Sequence, residues 1–103
     1  MYGLPQPVEA SIKLMEAYQS EHDPNTLQQA VRELESYTQT REAEEPIISQ
    51  LGVQQATELY QRIAGNINRT SGTEQAFWQN LYIGIRYTEY VPYALKQLHK
   101  LQP

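Results

Sequence analysis

The spacing of apolar residues predicts an all-α protein: an antiparallel four-helix bundle with a short C-terminal fifth helix. Three observations carry that prediction. Apolar side chains recur every three or four residues from Val8 to Leu101, the period of a helix face and not of a strand. Pro24 and Pro46 each follow acidic residues, where a helix can start on a proline whose missing N–H has no intrahelical partner. No repeat, low-complexity tract or linker interrupts the pattern, so 1–103 reads as one helical domain.

Val8, Ile12 and Met15, flanked by Leu14 and Tyr18, set a first helix over about 8–21. Asp23 is the expected cap of a second, about 24–41, whose stripe is Leu27, Ala30, Val31, Leu34 and Tyr37. Glu42, Glu44 and Glu45 before Pro46 read as a solvated helix start, since carboxylates favour the positive end of a helix. The third helix is expected over about 46–68 on Ala56, Leu59, Ile63 and Ile67, and Gly52 either divides it or sits inside it.

Ser71 and Glu74 have capping-box spacing at the head of a fourth helix, about 74–90, which Pro92 interrupts. Leu95, Leu98 and Leu101 then line a short fifth helix, about 93–101. On the fourth helix, Phe77, Leu81 and Ile85 stack on one side with Trp78 and Tyr82 on its flank, an ordinary core stripe. Ile83, Tyr87 and Tyr90 form a second stripe on that helix, one a simple bundle does not need.

Composition removes several functions. The chain has 103 residues, enough to bury roughly 65% of its unfolded surface in one core. It has no cysteine, hence no disulfide, thiolate metal site or thiol nucleophile, in keeping with a reducing compartment. No signal peptide is visible in Met1–Pro7 and no run is long enough for a membrane span, so the expected location is cytoplasmic or peripheral to a membrane.

His22 and His99 are the only imidazoles and stand at opposite ends of the chain, and position 96 is Lys96 where a Glu-x-x-His metal turn needs a glutamate. The five glycines are scattered and make no phosphate loop; Gly65 and Gly84 read as places of close helix approach. No catalytic residue, cofactor site or metal site is assigned, and the chain reads as a non-enzyme.

Charge is uneven at a net −4. Residues 1–58 hold ten acids against Lys13, Arg32 and Arg41, whereas 59–103 hold Glu74 and Glu89 against Arg62, Arg69, Arg86, Lys96 and Lys100. Six of the ten aromatic residues fall in that basic half between Phe77 and Tyr93. Arginines interleaved with Trp78 and Tyr82 are the means of nucleic-acid binding, but a pI near 5.1 falls short of that footprint. The leading reading is contact with a protein, through Trp78, Tyr82, Ile83, Arg86, Tyr87, Tyr90 and Tyr93, with a small nucleic-acid-binding regulator the least favoured alternative. The alternative is a helical adaptor or assembly factor that pairs with itself through the second stripe.

Two segments add a family resemblance. Leu59-Tyr60-Gln61-Arg62-Ile63-Ala64, followed by a loop and a helix start near Thr73, resembles the third-to-fourth helix passage of the immunity proteins against pediocin-like bacteriocins. Ile85-Arg86-Tyr87-Thr88-Glu89-Tyr90 is similar to a segment of the enterocin A type, which there opens the fourth helix. The chain is acidic where many members are basic. The resemblance implies a non-catalytic bacterial protein of the cytoplasm that acts on a bacteriocin bound to a membrane-embedded sugar-transporter receptor, with recognition in the C-terminal half.

Overall fold

A computed structural model describes residues 3–102; Met1, Tyr2 and Pro103 lie outside the described residues. They form α1 (Gln6–Glu21), α2 (Pro24–Thr38), α3 (Val53–Arg69), α4 (Gly72–Gly84) and α5 (Val91–Leu101), with 3-10 turns at Arg41–Glu44, Ile47–Gln50 and Thr88–Tyr90. The protein is all-α, with no strand among the described residues.

The helices start and stop for local reasons. The Asp23 carboxylate accepts from the Asn25 amide at 2.9 Å, and Pro24 opens α2, as expected. His22 turns the chain between α1 and α2 in the left-handed region at φ 52°, its amide donating to the Tyr18 carbonyl at 2.8 Å. α2 stops at Thr38 rather than near 41. There the Thr38 and Thr40 hydroxyls donate to the Glu35 and Tyr37 carbonyls at 2.6 and 2.7 Å, satisfying acceptors that a continuing helix would use.

One open alternative is decided and further expectations are corrected. Gly52 does divide the 46–68 segment: it caps α3 in extended backbone, and its amide donates to the Gln55 side-chain carbonyl at 3.1 Å. The Ser71–Glu74 box does not form, because Glu74 reaches instead to His22 at 3.3 Å. α4 ends at Gly84, not near 90. Pro92 lies in the first turn of α5, so it starts that helix and does not interrupt the one before.

The reason for the early end is tertiary. A Cβ on Gly84 would stand 3.1 Å from Val91 Cγ2 and 3.3 Å from the Val91 amide, so α5 crosses directly over the end of α4. Gly65 has no such role. The atoms nearest a Cβ there belong to the Arg69 guanidinium, folded back along its own helix at 3.3 Å.

α1 packs along α2, α2 against α5, α5 against α4, and α4 against α3. They enclose one core, in which Ile12, Met15, Leu34, Tyr37, Ile63, Phe77, Trp78, Leu81, Ile85 and Leu98 are fully buried. The Ser11 hydroxyl donates to the Ala30 carbonyl at 3.2 Å and satisfies the polar group buried between α1 and α2. The long connection from Thr38 to Gly52 is tied to the end of α4 by the Ile48 amide, which donates to the Ile85 carbonyl at 2.9 Å. That bond places Ile48 and Leu51 beside α3 and the end of α4.

Candidate functional site

α3 presents different chemistry on its two flanks. Its core face is Leu59, Ile63 and Asn66. The flank toward α1 is charged. Arg62 grips Glu16 with two nitrogens, Nε to Oε2 at 2.9 Å and Nη2 to Oε1 at 2.7 Å, and its Nη1 reaches Glu9 Oε1 at 3.2 Å.

The buried Asn66 amide donates to Glu16 Oε2 at 2.9 Å, and its carbonyl accepts from Arg69 Nη2 at 2.8 Å. Burial alone would raise the Glu16 carboxyl. The hydrogen bonds from Arg62 and Asn66, with the charges of Arg62 and Arg69, outweigh it and hold the carboxyl below its ordinary value. The Arg62 guanidinium is correspondingly held in its charged form by Glu16 and Glu9. This seam fastens α3 to α1 and absorbs Arg62, part of the basic surplus of the C-terminal half.

The other flank is uncharged and open. Val53, Ala56, Thr57, Tyr60 and Gln61 follow one another at i, i+3, i+4, i+7 and i+8, the spacing of a single helix face. Tyr60, Thr57 and Gln61 line a cleft of about 580 Å³ whose opposite wall is Tyr82, Ile83, Arg86 and Tyr87. A second cleft of about 380 Å³ continues it past Arg86, between Ile48, Leu51, Val53 and Ala56. The two share Thr57, Tyr60 and Arg86, and together make one groove. The Tyr60 and Tyr82 rings meet edge-to-face at 4.9 Å and join its two walls.

Four of the seven contact residues expected from sequence are brought together here: Tyr82, Ile83, Arg86 and Tyr87. Trp78 is not among them. It is 0% exposed, packs edge-on to Phe77 at 4.8 Å, and belongs to the core, so it is withdrawn from the contact surface. Tyr90 and Tyr93 stand apart and pair with each other at 5.7 Å across the start of α5.

The second stripe on one helix therefore does not exist. α4 ends at Gly84, Ile85 still has helical angles, Tyr87 is extended, and only Ile83 and Tyr87 of that stripe share a surface. The groove also has a wall that sequence reasoning missed. Tyr60 and Val53 were signalled by their shared face with Ala56, Thr57 and Gln61, but that face was masked by its small and polar members.

The groove offers no carboxylate and no imidazole among its lining residues. His22 and His99 are both exposed and remote from each other in sequence, His22 facing Glu74 and His99 facing Glu35 at 3.6 Å. Among the described residues no three His, Asp or Glu side chains converge, and no helix is long and apolar enough to cross a membrane. No family model, curated protein or solved structure matches this chain.

Proposed function

We propose that this is a non-catalytic helical protein that works by contact with another protein, and that the groove between α3 and the end of α4 is its docking surface. One observation carries the reading. Of the five large hydrophobic side chains exposed among the described residues, Val53, Tyr82, Ile83 and Tyr87 all line this groove, and only Tyr93 lies elsewhere. Contiguous exposed apolar surface of that kind marks interaction sites, and tyrosines suit them because the ring buries area while the hydroxyl keeps water.

A photo-crosslinking amino acid at position 83 tests it in the source cells, with position 29 on the exposed side of α2 as control. Position 83 is expected to trap one discrete protein and position 29 none. No adduct, or the same adducts from both sites, would refute the docking surface.

The finer proposal is an immunity role. Its support is the resemblance, which implies recognition in the C-terminal half, where Tyr82, Ile83, Arg86 and Tyr87 lie. Expression in a bacteriocin-sensitive strain is expected to protect it, and Ile83→Asp to remove the protection. Full sensitivity with the wild-type chain would eliminate that role while leaving the groove as a surface for a different partner.

A further inference from the structure

We infer that the occupant of the groove is an amphipathic helix of a protein partner, with an Asp or Glu beside its apolar face to meet Arg86. The inference rests on the docking reading above and gives its partner a chemistry. The uncharged flank of α3 runs from Val53 to Gln61, about 12 Å of helix axis, or two turns. Of the helices in the bundle, α3 packs closely only on α4, while its link to α1 is carried by the long side chains of Arg62 and Glu16. A helix laid along the Val53–Gln61 face, against Tyr82, Ile83 and Tyr87, takes the place of the missing neighbour. This is helix-in-groove recognition, read by anchors at i, i+3 or i+4, and i+7. No sheet edge among the described residues offers the alternative of strand addition.

Charge selects the sign of the partner. Arg86 is the only charged residue lining the groove, and it stands where its two halves join. It is exposed, and no described carboxylate pairs with it, whereas Arg62 on the opposite flank is held by two. An apolar partner with no acid leaves the guanidinium against a dry face without a counter-charge. A basic one adds repulsion. A single carboxylate on the partner satisfies a fork that binds carboxylates in pairs of hydrogen bonds.

The test is a phage-displayed library of 16-residue helices, with leucine, isoleucine or phenylalanine at apolar-face positions and flanking positions randomised, selected on the full chain. Asp or Glu is expected to dominate one flanking position. For the enriched peptide, Arg86→Glu is expected to lower affinity about tenfold or more, the scale of one charged hydrogen bond, and to shift reselection toward Lys or Arg. Ile83→Asp, with helicity verified by circular dichroism, is expected to abolish binding.

Enrichment without an acid, or affinity indifferent to Arg86→Glu, overturns the proposed chemistry while a crosslink at position 83 still supports docking. Peptides that bind Ile83→Asp as well as wild type overturn the site. A wild-type dimer in sedimentation that Ile83→Asp converts to monomer makes the occupant a second copy of this chain, and overturns the proposal in that way.

Discussion

The two flanks of α3 differ in chemistry: one is charged and paired, the other is uncharged and exposed. Where α3 faces α1, along a partly exposed seam, the contact is made by Arg62, Asn66, Glu16 and Glu9. Where it faces solvent beside α4, Val53, Ala56, Tyr60, Tyr82, Ile83 and Tyr87 stand beside Thr57, Gln61 and Arg86. The core face of α3, Leu59, Ile63 and Asn66, lies between these two flanks. The polar seam is satisfied by its own hydrogen bonds; the groove exposes Val53, Tyr82, Ile83 and Tyr87. The first fastens α3 to α1, and the second is the surface proposed for docking.

That division is open to breakage at several places, the most severe first. Trp78→Ala is expected to cost about 3–5 kcal/mol in urea unfolding, because it empties a fully enclosed site. Tyr82→Ala, four residues along the same helix, is expected to cost about 1 kcal/mol or less, most of it the ring contact with Tyr60. Equal costs would place Tyr82 in the fold and remove the distinction. Gly84→Ala comes next, at about 1–3 kcal/mol, since its Cβ must push against Val91 at 3.1 Å. A neutral result would show that α5 is free to move off the end of α4.

The seam gives a milder and pH-dependent effect. Glu16→Gln keeps the shape but removes the charge that Arg62 and Asn66 grip, and about 1–2 kcal/mol is expected for this half-exposed group. The Glu16 carboxyl is depressed below its ordinary 4.5 in the folded protein, so its stabilisation is complete above that pH. It is lost as pH falls through the folded value. Arg62 is shifted the opposite way, upward from an already alkaline value, and adds no dependence near neutrality. Urea midpoints measured from pH 7 to pH 3 are expected to converge for wild type and Glu16→Gln at the acid end; parallel curves would exclude Glu16 as their source. Smallest of all is Ile83→Asp, within about 0.5 kcal/mol in stability, since it is a surface position, yet with partner capture abolished.

How far the sequence discloses this contrast differs between the flanks. Core positions follow from helical period alone, and Phe77, Leu81, Ile85, Ile63 and Leu98 are buried as their spacing requires. Pro92 is harder. A proline equally breaks the helix before it or starts the one after, and the choice here is made by the crossing of Gly84 and Val91, a contact no local pattern encodes. Reading it as a break lengthened α4 and created a stripe of Ile83, Tyr87 and Tyr90 that the chain does not have.

The Arg62–Glu16 pair joins residues 46 apart, so nothing local announces it. Tyr60 was accessible to reasoning, because Val53, Ala56, Thr57, Tyr60 and Gln61 share one face. That face contains only two large apolar side chains, too few to stand out until Tyr82 and Ile83 are placed opposite them.

Amide chemical-shift mapping of the labelled chain during titration with the acidic helical peptide tests the contrast most directly. The account predicts shifts confined to Val53–Gln61 and Tyr82–Tyr87, with Glu9, Glu16, Arg62 and Asn66 unmoved. Shifts centred on the α1–α3 seam, or spread evenly over all five helices, would contradict it.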